Sequence, residues 1–481
     1  MHEFKITASL RPLCVDLDGT LIKTNTLYEA IIALIRAHPV AAFLLPYWLM
    51  RGQAYLWQRL SERVSINVTL LPYRQEVLEY LRREKARGRE IALVSGSHHT
   101  IVEKVAHHLG LFDRFLGSNE SVHLVGPAKL SAILKLYEKH YFDYIGDTSA
   151  DFSIWQVSDH AVIVSGDNSL VKRLLGVNIN TEHINPNDPS WLKALFKAMR
   201  PYQWSKNLLL FAAAFLSHNF TNLPVMLSAA HGFVAFSLCA SAAYIMNDLF
   251  DLETDRLHTK KRHRPFAAGD LSLVYGGLFS LLLLILALLF ALALSPKFAL
   301  SLSIYFAMTL SYSFYLKKKL LLDVFLLAGL YTIRVWAGGV CAGVTISNWT
   351  LAFFMSLSLS LAIAKRYSEL AASANAQREV KIHRRGYQTS DMPFLLCLGC
   401  INANISVLVI ALYISSKDTS YYYTNPSALW LICPAVAYWV CRLWMLTIRG
   451  KLNEDPVLFA IKDKVSYLLG AFIVTAIMLA I

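Results

Sequence analysis

Asp248, Asp251 and Asp255 lie in the run Asn247-Asp248-Leu249-Phe250-Asp251-Leu252-Glu253-Thr254-Asp255, directly after an apolar stretch from about Val225 to Met246. That stretch is long enough for a membrane helix. Acidic groups at membrane depth are expensive and are normally kept for function. The spacing i, i+3, i+7 puts all three carboxylates on one helical face. Such a face collects a hard cation such as Mg²⁺, which in turn holds phosphates. Arg256, Lys260, Lys261, Arg262 and Arg264 follow at once. Acid for a metal and base for phosphate predict a diphosphate handled at a membrane surface.

A second constellation lies near the start of the chain: Asp16-Leu17-Asp18-Gly19-Thr20, Ser95-Gly96-Ser97, Lys129, and Gly146-Asp147-Thr148-Ser149-Ala150-Asp151. Three of these groups follow short β-rich runs. In an open α/β sheet the carboxyl ends of the strands form the ligand crevice, so the four groups converge there. Asp16 can attack phosphorus and form an aspartyl-phosphate. Asp18 can protonate the leaving oxygen and then activate water. Asp147, with Asp151 behind it, helps to hold Mg²⁺, and Asp16 and Asp18 are further candidate ligands. Ser95 and Lys129 neutralise the transferring phosphoryl group.

The elements that must position these groups are readable as patterns. Leu13-Cys14-Val15, Ile91-Ala92-Leu93-Val94, Tyr144-Ile145 and Ala161-Val162-Ile163-Val164 read as strands of a parallel sheet, with helices between them such as Thr100 to Leu109 and Leu130 to His140. That is a doubly wound α/β domain. Between its first two strands lies a helical cap, about residues 26–87. Within it, Pro39 to Met50 is notably apolar, but two prolines and short length argue against a membrane span. A buried cap helix and a membrane-touching cap both remain open. Asn180 to Ser190 reads as a polar linker. Trp191, Leu192, Leu195, Phe196 and Met199 then share one helical face opposite Lys193, Lys197 and Arg200, which predicts an interfacial helix.

Nine apolar segments follow, near 207–220, 225–246, 273–295, 298–316, 320–341, 349–365, 391–415, 426–447 and 465–481. Each approaches the length of a tilted membrane helix. The loops alternate in charge. One set holds Arg256 to Arg264, Lys317-Lys318-Lys319, Lys365 to Arg385 and Arg449 to Lys464. This basic set belongs in the cytoplasm, as does the front domain, because Met1 to Pro12 has no signal-peptide core. The expected organisation is therefore an α/β domain over 1–179, a linker and interfacial helix over 180–200, and an all-α membrane domain of nine transmembrane helices over 201–481. The setting is a bacterial-type inner membrane, with the C-terminus on the far side.

Composition agrees. The chain has 481 residues, 55% of them hydrophobic and 16% charged, with a mean hydropathy of +0.42. That is too apolar for an ordinary soluble protein and too charged to be membrane throughout. The net charge of +13 sits largely in loops between apolar runs, which fits topology rather than nucleic-acid binding. The seven cysteines show no zinc spacing and no disulfide pattern.

Several polar groups sit at the ends of membrane segments: Lys206 and Asn207, Tyr312 and Lys317, Asp323 and Arg334, and Lys365, Arg366 and Glu369. Snorkelling accounts equally well for Lys206, Lys317 and Lys365. It accounts less well for Asp323 and Arg334, which lie within an apolar run. Eleven residues separate these two, about three turns, so separate roles are expected rather than a direct pair.

Two resemblances follow from these motifs. Roughly Arg11 to Gly176 resembles the haloacid dehalogenase (HAD) superfamily, with every signature position present. Asp18 within that pattern implies a phosphatase or phosphotransferase. About Met199 to Ile481 resembles the UbiA superfamily of intramembrane prenyltransferases, on the motif NDxxDxxxD at Asn247–Asp255 and nine helices. That resemblance implies Mg²⁺ on Asp248, Asp251 and Asp255, with Asn247 supporting, gripping a diphosphate whose carbon group is transferred to an acceptor. The usual second aspartate-rich motif is replaced by Tyr312 to Asp323, with lysines and one Asp. The strings RPYQWSKN, NDLFDLETDRLHTKKRHRPFAAG and KRYSEL look closest to the decaprenyl-phosphate phosphoribosyltransferase branch. That branch implies phosphoribosyl pyrophosphate as donor and a polyprenyl phosphate as acceptor. Lys206, Arg262, Arg264, Tyr312, Lys317, Asp323, Arg334, Lys365 and Arg366 are then the substrate-binding candidates. The HAD part would remove the product's 5-phosphate, with Mg²⁺ serving both domains. The alternatives are transfer of a prenyl group from prenyl diphosphate to an aromatic or other small acceptor, and a lipid transporter with a regulatory HAD domain. Transporters place their acids at the bilayer midplane, whereas here they cluster at one end.

Overall fold

The computed structural model describes residues 10–119, 122–139, 141–175, 180–375, 386–416, 419, 423–452 and 456–481. The expected domain end at 179 and the basic loop over 376–385 lie outside them. The chain divides into two compact units, Met1–Met199 with Tyr244–Ser280, and Arg200–Ala243 with Leu281–Ile481. The acidic motif thus belongs to the same unit as the α/β domain.

Six parallel strands form the sheet of the first unit: β1 (Leu13–Val15), β2 (Ile91–His98), β3 (Arg114–Ser118), β4 (Asp143–Gly146), β5 (His160–Val164) and β6 (Asn180–Ile184). Their order is β3-β2-β1-β4-β5-β6. Cys14 of central β1 pairs with Ala92 of β2 and Tyr144 of β4. Strands covered on both faces read as continuous apolar runs, which is why β1 and the start of β2 are buried throughout. Successive side chains alternate faces. Leu13, Val15, Ile91, Leu93, Ile145 and Val162 join one core with the cap residues Trp48, Leu56 and Trp57. Cys14, Ala92, Val94, Tyr144, Ala161 and Ile163 join another with Ile133 and Trp155.

Asn180–Ile184, expected as linker, is strand β6, paired with β5 from His160↔Asn180 to Val164↔Ile184. Its polar side chains are tolerated because it is the outermost strand on its side of the sheet. The cap is helical as expected. Its first helix, α1 (Thr26–Ala37), is started by Asn25, whose side chain accepts from Leu27 N at 3.0 Å. The segment Trp191–Met199 is a helix that buries Ala194, Leu195 and Ala198 and exposes Trp191, Leu192 and Phe196.

The C-terminal part is helical. Among the described residues five helices are long and apolar enough to cross a membrane: Leu223–Phe250, Leu273–Leu294, Leu322–Ala342, Thr389–Ile414 and Pro426–Ile448. The other expected spans are also helical but fall short on length or composition. Residues 207–220 are split between a 3₁₀ helix, Pro201–Phe211, and a five-residue α-helix, Ala212–Leu216. Asn348–Asn375 is long but carries Lys365, Arg366 and Glu369, and Lys464–Ala480 has 17 residues. In the second unit Val324, Ile363, Leu395, Val440 and Trp444 share one core. Gly338 lets the Pro201–Phe211 segment approach Leu322–Ala342 closely, since a Cβ there would collide with the backbone of Leu210.

Candidate functional site

The strand ends of the first unit gather one cluster. Lys129 Nζ lies 2.9 Å from Asp16 Oδ2 and 3.4 Å from Asp151 Oδ1, and donates to Tyr144 Oη at 3.0 Å. Carboxylate oxygens of Asp16, Asp147 and Asp151 lie within 4.8 Å of one another. Asp147 accepts from Thr20 Oγ1 at 3.1 Å. Gly19 has φ +81°, and a Cβ there would run into the Asp147 carboxylate, so the turn needs glycine. Asp18 is held separately: Thr26 N donates at 2.9 Å, Thr26 Oγ1 at 3.1 Å and Ser97 Oγ at 2.7 Å. Ser95 Oγ donates to Ser97 Oγ at 3.1 Å, so Ser95 reaches the acid through its neighbour. Thr26, Ser97, Thr20 and Tyr144 are not singled out by the sequence. Ser97 belongs to the strand-end triplet Ser95-Gly96-Ser97, the one signal that could have marked it.

Electrostatics favour a cation here. Burial, opposed by Lys129, pushes Asp16 from 3.8 up to about 7, and burial with the neighbouring charges of Asp16 and Asp151 raises Asp147 well above its ordinary value. Burial also raises Asp18. Lys129 is held above the usual lysine value, because Asp16 and Asp151 outweigh its own burial. Three crowded, desolvated carboxylate groups with oxygen donors at this spacing fit a hard divalent ion. The linkage has a definite sign. Asp16 releases its proton near 3.8 when unfolded and near 7 when folded, so the unfolded state binds fewer protons between these values and stability falls as pH rises through that window. With a chelator present, the unfolding temperature of the first unit is expected to drop between pH 4 and pH 7. Excess Mg²⁺ is expected to flatten that slope, as scanning calorimetry would register.

The acidic motif is the second place of interest. The helix Leu223–Phe250 ends within it, and Asp251 stands between that helix and the short helix Leu252–Arg256. The backbone bonds Asp251 N to Asn247 O (2.9 Å) and Asp255 N to Asp251 O (2.8 Å) keep helical spacing across the break. Arg264 Nη1 bonds Asp255 Oδ2 at 2.6 Å and Asp248 Oδ1 at 3.1 Å. Both carboxylates are buried, and Asp255 Oδ1 accepts no hydrogen bond among the described residues. Burial raises the Asp255 pKa, with Arg264 opposing. Buried carboxylate oxygen beside Arg264 is a donor that a hard metal ion could share. Arg262 is exposed, its Nε 3.4 Å from His263 Nε2.

Sequence reasoning missed the group that holds this loop. Arg256 donates through Nη2 to Glu29 Oε1 (2.6 Å), through Nη1 to Glu29 Oε2 (3.1 Å) and through Nε to Ala267 O (3.0 Å). The fork is bidentate and buried. Glu29 lies on α1, whose first residue, Thr26, holds Asp18. One turn of helix therefore links the α/β pocket to the acidic loop. Breaking a buried pair leaves an uncompensated charge, at a cost of about 3–5 kcal/mol. Arg256→Ala is expected to loosen residues 251–270, read as faster amide exchange there, and the exchanged pair Glu29→Arg with Arg256→Glu should recover part of the protection.

Within the second unit, three of the expected site residues come together. Arg366 Nε bonds Asp323 Oδ2 at 2.5 Å, its Nη2 bonds Tyr312 Oη at 2.9 Å, and its Nη1 bonds Glu369 Oε2 at 2.8 Å. Tyr387 Oη adds a bond of 2.6 Å to Asp323 Oδ1. Arg334 belongs to a different network, with Asn207 Oδ1 at 2.8 Å, Tyr305 Oη at 2.9 Å and the carbonyl of Leu330. Asp323 and Arg334 are thus not a pair, as their spacing implied. Lys206 Nζ lies 5.8 Å from the Tyr331 ring, and Lys317 and Lys365 are half-buried. An apolar cavity of ≈ 300 Å³ is lined by Trp349, Phe353, Tyr413, Ile432 and Ile477 among others.

Comparison with known proteins places these features. The UbiA prenyltransferase family matches residues 208–470, and the haloacid dehalogenase-like hydrolases match residues 13–154. An uncharacterized protein of Sinorhizobium fredii is 36% identical over 471 residues, 98% of this chain and 91% of its own length. The decaprenyl-phosphate phosphoribosyltransferase of Mycolicibacterium smegmatis is 31% identical over 288 residues, 58% of this chain and 89% of that protein. Among solved structures, a UbiA homolog from Archaeoglobus fulgidus bound to DMAPP and Mg²⁺ is 20% identical, covering 59% of this chain and 99% of its own, with a TM-score of 0.46.

Proposed function

The chain belongs to the UbiA prenyltransferase family and carries a haloacid dehalogenase-like domain ahead of it, and from that premise we propose a two-site enzyme that builds and then trims a pentosyl lipid. The membrane part transfers a phosphoribosyl group from phosphoribosyl pyrophosphate to a polyprenyl phosphate. The HAD pocket removes the 5-phosphate from the product. The observation that carries this reading is the assembly, within one compact unit, of a carboxylate-lined pocket around Asp16 and a buried acidic loop at Asp248–Asp255. The first reaction leaves a phosphomonoester, which is the bond that the second pocket is built to break. The relatives named decaprenyl-phosphate phosphoribosyltransferase supply the substrate class.

In the transfer, the bond between ribose C1 and pyrophosphate breaks as an oxygen of the lipid phosphate bonds to C1. Pyrophosphate leaves with the electron pair. Asp248, Asp251 and Asp255, supported by Asn247, would hold Mg²⁺, which would supply charge neutralisation for that leaving group. Arg264 holds the loop's carboxylates in register, and Lys206, Arg262, Tyr312, Lys317, Asp323, Arg334, Lys365 and Arg366 are the side chains proposed to bind substrate. In the trimming step Asp16 attacks phosphorus and Asp18 gives its proton to the departing ribose oxygen. Asp18 then takes a proton from the water that attacks the aspartyl-phosphate, which frees Asp16 and inorganic phosphate. Lys129 neutralises phosphoryl charge. All nine apolar segments would span an inner membrane, with the α/β domain in the cytoplasm and Ile481 on the far side.

The family name itself favours a second reading, prenyl transfer to a small acceptor. Purified full-length protein given isotopically labelled phosphoribosyl pyrophosphate, polyprenyl phosphate and Mg²⁺ is expected to yield a pentosyl lipid by mass spectrometry. Label entering product only from prenyl diphosphate would select the second reading, and no labelled lipid from either donor would reject both.

A further inference from the structure

The apolar stretch of the cap is not a buried helix. It forms a 3₁₀ turn, Ala41–Leu44, and a short helix, Leu45–Met50. Only Trp48 is buried, and it roots the stretch in the cap core beside Leu56 and Trp57. Ala41 and Leu45 pack partly against that core, and the larger side chains between them and beyond point outward: Val40 is 80% exposed, Phe43 85% and Met50 80%, with Leu44, Tyr47 and Leu49 also exposed. A contiguous apolar ridge of this kind marks an interaction surface. Its rim is aromatic and cationic. The Arg51 guanidinium lies 5.7 Å from the Tyr47 ring and 5.6 Å from that of Tyr55. Arg59 lies 5.0 Å from Tyr55 and Arg63 5.0 Å from Trp48. Between His38 and Arg63 the sole acidic residue is Glu62.

We infer that this ridge, Val40 to Met50, inserts into the surface of an anionic bilayer leaflet. Apolar side chains enter the acyl boundary while arginines paired with tyrosine and tryptophan stay at headgroup level, the arrangement of interfacial anchors. The charge complements anionic lipid. Among its described residues the chain also carries five helices long and apolar enough to cross a membrane, so it is a chain that meets a bilayer. The helix Trp191–Met199 of the same unit presents Trp191, Leu192 and Phe196 beside lysines, a second surface of the same chemistry. An anchored cap deepens the reading of the HAD pocket as a site for a lipid-linked phosphomonoester, and it rests on that reading only for its purpose, not for its existence.

The test needs no enzymatic activity. Full-length protein with the photoreactive p-benzoylphenylalanine in place of Phe43 or Met50 is reconstituted in vesicles of phosphatidylcholine and phosphatidylglycerol and irradiated. Lipid adducts at both positions are expected, enriched in phosphatidylglycerol over its share of the vesicle, and reduced by Arg51→Glu with Arg63→Glu. The same probe at exposed Tyr141 serves as the background position. Cross-linked dimers without lipid adducts would assign the ridge to a second copy of the chain. Adducts no more frequent than at Tyr141, or indifferent to lipid charge and to the arginines, would also overturn the inference.

Discussion

Asp16→Asn is expected to abolish phosphomonoester hydrolysis, by at least about a thousandfold, as removal of a covalent nucleophile does. The change is nearly isosteric. The amide oxygen it introduces can still accept from Leu17 N, as Asp16 Oδ1 does at 2.8 Å, and Lys129 keeps Asp151 and Tyr144 as partners. The fold should therefore survive while the attacking electron pair is lost. With phosphoribosyl donor, polyprenyl phosphate and Mg²⁺, the variant should accumulate a pentosyl lipid heavier than the parent's product by one phosphate. Its rate of pyrophosphate release should match the parent's, because nothing in the acidic loop has changed. A product of the same mass from variant and parent would remove the HAD pocket from the pathway while leaving the transferase untouched.

What is legible in the sequence depends on how local the cause is. Strands β1 and β5 are visible because a strand covered on both faces must be apolar at every position, and the motifs at the strand ends are visible because each directly follows an apolar run, at the carboxyl end where the crevice of a parallel sheet lies. β6 is not visible: Asn180-Thr181-Glu182-His183-Ile184 has the composition of a linker, and only pairing with β5 makes it a strand. The same holds for side chains. The i, i+3, i+7 spacing singles out Asp248, Asp251 and Asp255, yet nothing in it says that Arg264 binds two of them. Glu29 and Arg256 stand 227 residues apart, beyond the reach of any spacing rule. Asp323 reads as a substrate group because a carboxylate in an apolar run demands a reason. Tertiary packing supplies one in Arg366 and Tyr387, so Asp323→Asn should cost stability as well as activity.

Asp248→Asn and Asp255→Asn separate the two halves of the enzyme from the other direction. Each amide can keep an oxygen on Arg264 but cannot supply a negative charge to a metal ion. Loss of electrostatic stabilisation at a leaving pyrophosphate typically costs about 10²–10³ in rate, and loss of metal would add to that. The single variants are expected to lose transfer by at least this factor, with the Mg²⁺ concentration for half-maximal rate raised. Hydrolysis of a small soluble phosphomonoester should stay within about twofold of the parent, because Arg256, rather than Asp248 or Asp255, carries the bond to Glu29 on α1. The buried environment sharpens the contrast. Asp255 keeps one oxygen without a hydrogen bond among the described residues, so the parent bears a desolvation cost that a bound cation would relieve, and a neutral amide bears a smaller one. Asp255→Asn should therefore unfold at a higher temperature than the parent without Mg²⁺, and Mg²⁺ should stabilise the parent more than the variant. A variant that loses transfer yet responds to Mg²⁺ as the parent does would place the metal elsewhere and leave Asp255 as a partner of Arg264 alone.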